Sequence, residues 1–76
     1  MIDLATLRRT VGVTQVQLAG SLGTSQGQIS RMERQQDMLI STLASYLQAL
    51  GVRASLVVEV GEQTATYDLT AGQEDR

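Results

Sequence analysis

Two periods divide this chain. Over residues 1–51 the apolar positions recur every three or four, and beyond them they alternate. The helical pattern is clearest in residues 14–33, TQVQLAGSLGTSQGQISRME, where Val16, Leu18, Ala19 and Leu22 form an apolar stripe. Thr14 precedes that stripe as a candidate N-cap, and Gly23 follows it where a left-handed C-terminal residue is wanted. Ser25 then caps a second short helix whose inward positions are Ile29 and Met32, leaving Gln26, Gly27, Gln28, Ser30 and Arg31 outward. Upstream, Asp3 is the candidate N-cap of a helix through about Val11. Leu4, Leu7 and Val11 are its buried stripe, Arg8 and Arg9 lie on its outer side, and Gly12 is its stop. Residues 35–38 read as a loop. Ser41 reads as the cap of a helix over residues 42–50, with Leu43, Leu47 and Leu50 inward, Tyr46 at the margin and Gly51 as the stop.

The last third, RASLVVEVGEQTATYDL, predicts two strands around Gly61-Glu62, a pair suited to a two-residue type II′ turn. That turn sets Val60 opposite Gln63, Val58 opposite Ala65, Leu56 opposite Tyr67 and Ala54 opposite Leu69. One face then carries Ala54, Leu56, Val58, Val60, Ala65, Tyr67 and Leu69. The other carries Arg53, Ser55, Glu59, Thr64, Thr66 and Asp68, with Val57 the exception. A slip of one residue would mix the two sets, so the pattern favours this register. A lone hairpin is barely stable and must pack on the helices or against a second chain. Strand pairing across a two-fold axis is the expected dimer, through Leu56, Val58, Val60, Ala65, Tyr67 and Leu69. The alternative is a hairpin folded back on its own helices, with the dimer formed by the helix over residues 42–50.

Two short helices joined by a tight glycine-containing turn, the second with an exposed amide-rich N-terminal end, have the shape of a DNA-reading helix-turn-helix. The residues Thr14, Gln15, Leu18, Ala19, Gly23, Ser25, Gln26, Ile29, Ser30 and Glu33 make the resemblance specific. They match the Cro/cI-type (XRE) motif, roughly TQ-x-x-LA-x-x-x-G-x-SQ-x-x-IS-x-x-E. The run LISTLASYLQALG followed by an apolar strand resembles the HigA-like antitoxins and their regulator relatives. The resemblance implies a lambda-repressor-like domain of about four helices over residues 1–51. With the hairpin over 52–70 read from alternation and a flexible tail over 71–76 read from its polar composition, a mainly α fold is expected.

Composition limits the alternatives. The chain has 76 residues, enough for one domain near the size at which a lone core is marginal, so self-association would help. It has no Cys and no His, which removes the disulfide framework, the thiolate metal site and the commonest general base. With no carboxylate pair in a pocket-forming context, no metal site, no cofactor and no enzymatic activity are expected. No run approaches the ~18 apolar residues of a membrane span, and no signal peptide opens the chain, so a cytoplasmic location is expected. A net charge of −2 and a pI near 4.8 run against a nucleic-acid binder. The charge is unevenly placed, however. Residues 1–51 carry four arginines against Asp3, Glu33 and Asp37, whereas residues 52–76 carry two arginines against five carboxylates. The acidity belongs to the C-terminal part.

Gln26 and Gln28 are the candidates for base contacts, because an amide can both donate to and accept from the N6/N7 edge of adenine in the major groove. Gly27 between them leaves room for close backbone approach, and Ser30, Arg31 and Arg34 lie further along the exposed side, suited to phosphate or base contact. Ser25 joins this group at the start of the reading helix. The resemblance implies that Gln15 holds a DNA phosphate while bracing Gln26. It also implies an ion pair of Arg8 with Glu33, the arginine standing 25 residues before the glutamate. As ordinary solvated residues these side chains would need no partner, and the motif is what argues otherwise.

The expected function is a sequence-specific repressor binding double-stranded DNA as a homodimer on a palindromic operator. The alternative is an antitoxin of a type II pair that neutralises a RelE/HigB-like toxin and autoregulates its operon. Antitoxins resembling this chain often carry an extension before the first helix. Here the sequence opens almost directly on that helix, which would leave toxin contact to the helices or the acidic tail.

Overall fold

Short polar side chains start the first three helices. In the computed structural model, which describes residues 3–71, Asp3 accepts the Thr6 N–H ahead of α1 (Leu4–Thr10). Thr14 accepts the Gln17 N–H ahead of α2 (Gln15–Leu22), and the Gln17 side chain reaches back to the Thr14 N–H, a complete capping box. Ser25 accepts the Gln28 N–H ahead of α3 (Gln26–Arg34). Gly23 ends α2 at φ +69°, in the left-handed region expected of it. The fourth helix, α4 (Ile40–Leu50), starts differently. Leu39 is its N-cap and no side chain caps it, so Ser41 lies inside the first turn rather than before it. The Leu39 carbonyl accepts the Leu43 N–H at 3.0 Å, which fixes the start two residues earlier than the sequence suggests. The loop ahead of it accordingly runs over 35–39.

Leu4, Leu18, Ala19, Ile29, Tyr46, Leu47, Leu50 and Leu69 form one core. Leu7, Leu22, Met32 and Leu43 pack at its edge, half-buried. Complete burial of Leu18 or Ile29 is worth about 2 kcal/mol each. Two valines depart from the expected stripes. Val11 is 41% exposed, because α1 ends at Thr10 and Val11 is already its C-cap. Val16 is 62% exposed, because it precedes Leu18 by about 200° of helical rotation in the opening turn of α2.

Two polar side chains go the other way. Arg8 is buried, not on the outer side with Arg9, since it lies one helical turn after Leu4 on the same face. Tyr46 is completely buried rather than marginal: it stands between Leu43 and Leu50 on the inward stripe of α4.

The strands β1 (Ser55–Val60) and β2 (Gln63–Asp68) pair antiparallel in the expected register, with Leu56 opposite Tyr67, Val58 opposite Ala65 and Val60 opposite Gln63. Gly61 has φ +60°, and no non-glycine residue among those described has positive φ, as a II′ turn requires. Every residue of both strands is exposed. Only the base of the hairpin reaches the core. There the Leu69 N–H donates to the Ala54 carbonyl (3.0 Å), and the Ala54 N–H donates to Thr70 Oγ1 (3.1 Å). Leu69 and Thr70 are both buried. The expectation of a flexible tail over 71–76 falls, beyond Ala71, outside the described residues.

Candidate nucleic-acid interface

Glu33, near the end of α3, is where all four helices meet. Its side chain is 5% exposed, and a carboxylate removed from water needs donors. Arg8 of α1 donates from Nε to Oε2 at 2.7 Å and, at 3.4 Å, from Nη2 to Oε1. Gln15 of α2 donates from Nε2 to Oε1 at 3.0 Å. Tyr46 of α4 donates its hydroxyl proton to Oε2 at 2.6 Å. The Leu4 carbonyl lies 3.3 Å from the same hydroxyl, but a phenol has one proton and the carboxylate is nearer. Arg8 is further held by the Val13 carbonyl, which accepts from Nη1 at 2.9 Å.

Electrostatics follow from this geometry. Burial pushes the Glu33 carboxyl up, but the hydrogen bonds from Arg8, Tyr46 and Gln15 outweigh it and hold the group below its ordinary value. Burial, together with the Glu33 carboxylate beside it, raises the Tyr46 phenol well above its ordinary value. The hydrogen bond to Glu33 raises the Arg8 guanidinium. No buried side-chain nitrogen or oxygen lacks a partner among the described residues.

From Glu33 the network runs outward. Gln15, held at its amide nitrogen, accepts at Oε1 from Gln26 Nε2 at 3.1 Å. Gln26, Gly27, Gln28 and Arg31 are exposed along α3, Ser25 is exposed just before it, and Ser30 is half-buried. Arg34 donates to Ser30 Oγ, one turn back, so these two are engaged with each other. Among the described residues a Cβ built on Gly27 would meet only Ser25 Oγ, at 3.8 Å, so no contact among them demands a glycine there.

An open depression at the start of α2 is lined in part by Arg9, Thr14, Gln15, Val16 and Gln26. Arg9 is a cation in this wall that sequence reasoning left unassigned, since nothing in the spacing brings it next to Gln15. Tyr46 is the other residue missed. Its place between Leu43 and Leu50 was a usable signal, because a tyrosine on a buried stripe needs a partner for its hydroxyl. The six hairpin residues expected at a dimer interface divide: Leu69 belongs to the core, while Leu56, Val58, Val60, Ala65 and Tyr67 are open.

Among the described residues, no helix is long and apolar enough to cross a membrane. The profile of the family described as a helix-turn-helix domain matches residues 2–60. No curated protein matches the sequence significantly. Solved structures do. A DNA-bound antitoxin HigA3 shares 32% identity at a TM-score of 0.80, over 87% of this chain and 88% of its own. A HigA antitoxin described as inducing DNA bending by a unique dimerization shares 31% at a TM-score of 0.76, over 87% of this chain and 92% of its own. The motif, the four helices with their hairpin, the profile and these two likenesses agree: this chain belongs to the XRE-type helix-turn-helix family, among its HigA-like members.

Proposed function

We propose that this protein is a sequence-specific DNA-binding repressor that acts as a dimer on a palindromic operator. The observation that carries the reading is the braced, exposed amide end of α3, with Gln26 tied to Gln15 and the Gln28 side chain exposed beside it. In this reading α3 enters the major groove. Gln26 and Gln28 contact base edges, and Gly27 lets the backbone come close. Gln15, Ser25, Ser30, Arg31 and Arg34 serve the DNA backbone or neighbouring bases, with Arg9 added from the wall of the α2 depression. The DNA-bound state of the HigA3 relative supports it.

The open apolar face of the hairpin supports dimerisation through β1 and β2. Leu56, Val58, Val60 and Tyr67 are 42–66% exposed, and an unpaired hairpin edge invites a strand from a second chain. The likeness to a HigA antitoxin described by its dimerization supports a dimer as such. Residues 1–51 then form the reading unit and residues 52–70 the assembly unit. The HigA likenesses also favour a second reading, in which the same protein is an antitoxin that neutralises a RelE/HigB-like toxin and represses its own operon.

Selection from random duplex DNA tests the first reading. The expected outcome is an inverted repeat with half-site centres about 34 Å apart, bound less tightly as salt rises. Gln26→Ala or Gln28→Ala should lose roughly 1–3 kcal/mol on the selected site and relax one base position, whereas Arg31→Ala should weaken specific and random DNA alike. No enriched repeat at low salt would remove DNA reading from its function. Co-purification with the product of an adjacent short basic reading frame, and loss of that product's toxicity, tests the second.

A further inference from the structure

The hydrogen-bond chain from Glu33 has a direction. A carboxylate has no proton to give, so the part of Gln15 that faces it must be the amide nitrogen, 3.0 Å from Oε1. The oxygen of Gln15 is thereby turned toward α3, and Gln26 can answer it only with its own nitrogen, at 3.1 Å. One Nε2 hydrogen of Gln26 is taken up in this way. Its second hydrogen and its Oε1 remain available on the exposed surface, a donor and an acceptor whose ends are fixed by the bond to Gln15.

We propose that Glu33, acting through Gln15, is a positioning residue that decides which end of the Gln26 amide meets a base, and so which base is preferred there. The inference rests on the reading of Gln26 as a base contact given above. In the observed order, the acceptor and donor of Gln26 suit the N6 amino group and N7 of adenine.

The two carboxylate oxygens are unequal. Oε2 receives both Arg8 Nε (2.7 Å) and Tyr46 Oη (2.6 Å), whereas Oε1 receives Gln15 and only the long contact from Arg8 Nη2 (3.4 Å). A glutamine in place of Glu33 therefore has one favourable orientation. Its oxygen takes the place where two strong donors converge, and its NH2 falls opposite Gln15. Gln15 then turns its oxygen inward and its nitrogen toward Gln26, and Gln26 turns its own oxygen inward. A donor now stands where Gln26 offered an acceptor. That arrangement disfavours the adenine amino group and suits O6 of guanine or O4 of thymine.

The test is base preference at the pair contacted by Gln26, measured by competition among operator variants at fixed salt, with folding checked by circular dichroism. Wild type should prefer one base by roughly tenfold, and Gln26→Ala should abolish that preference. Glu33→Gln should move the preference to a base offering an acceptor. Tyr46→Phe, which leaves the carboxylate facing Gln15, should keep the wild-type preference although its fold is weakened. Should Glu33→Gln fail to fold, Gln15→Met breaks the chain at a half-buried position and should level the preference. An unchanged base ratio in Glu33→Gln, or in Gln15→Met if that variant decides, overturns the inference, even where overall affinity falls. With Gln26→Ala still abolishing the preference, the reading of Gln26 survives that result. If Gln26→Ala alters nothing, the reading and the inference built on it both fail.

Discussion

Arg8 and Glu33 are charged and buried, whereas Leu56, Val58, Val60 and Tyr67 are apolar and exposed. The helical bundle hides a full ion pair because each strong donor and acceptor around it finds a partner inside one chain. The hairpin leaves apolar side chains in water because, among the described residues, nothing lies over them. What separates the two regions is completeness within the chain, more than polarity. A closed polar network can be interior, and an open apolar face asks for a second molecule.

Breaking the closed region should have the largest effect. Arg8→Ala or Glu33→Ala leaves a buried charge without its partner and should cost about 3–5 kcal/mol, enough to threaten the fold of a domain this small. The double variant should lose less than the sum of the two, as urea unfolding at neutral pH can measure. Additive losses would mean the two side chains act independently.

Breaking the open region should leave the single chain intact. Val58→Asp puts a charge on the exposed apolar face, so helical content should not change. Light scattering should find the monomer, and operator affinity should fall at least about a hundredfold as two linked half-sites become independent. A variant that remains dimeric would exclude the hairpin as the joint. Deleting residues 53–76 is a poorer test, since Leu69 and Thr70 belong to the buried interior and would go with the strands.

Titration should act on the closed region through Glu33 and Tyr46. Folding lowers the Glu33 carboxyl, so the unfolded chain takes up that proton more readily. The stabilisation from Glu33 is complete above its ordinary value and drains away as pH falls through the lowered one. Tyr46 acts in the opposite sense. Its phenol is raised on folding, so its contribution is whole below pH about 10 and is lost as the pH climbs beyond that. Urea midpoints followed from neutral to acid pH should drop steeply in the wild type and less in Glu33→Gln.

The smallest effect should come from Gly20, in α2 but outside the polar network. A Cβ there would meet nothing within 4 Å, so Gly20→Ala should raise stability by up to about 1 kcal/mol with mass and DNA binding unchanged. A loss would point to a close approach by another molecule.

The sequence was most informative where one residue type has one local use. Asp3, Thr14 and Ser25 cap, Gly23 and Gly61 take positive φ, and alternation sets the hairpin register. It was least informative where the answer depends on what lies across from a residue. Helical spacing placed Val16 on the same side as Ala19, yet it is 62% exposed, about 200° around the helix from the buried Leu18. Charge suggested that Arg8 faces water, while its position one turn after Leu4 sent it inward to Glu33. Tyr46 is ambiguous for the same reason, since its ring and its hydroxyl answer to different surroundings. In the candidate interface, the motif identified Gln15 and Gln26, but the order of their hydrogen bonds emerges only with Glu33 in place.

The clasp at the foot of the hairpin has a further consequence. Ala54 and Thr70 are tied to each other, and Leu69 is anchored among the helices, so both ends of the hairpin are fixed to the body that carries α3. If two copies join through their strands, each hairpin acts as the arm of a caliper with a stiff hinge. The opening of that caliper is the distance between the two reading helices. Operator spacing would then be dictated by Leu69 and Thr70, two residues buried in the protein interior. Loosening the hinge should broaden the range of half-site separations the protein accepts before it changes any base that it reads.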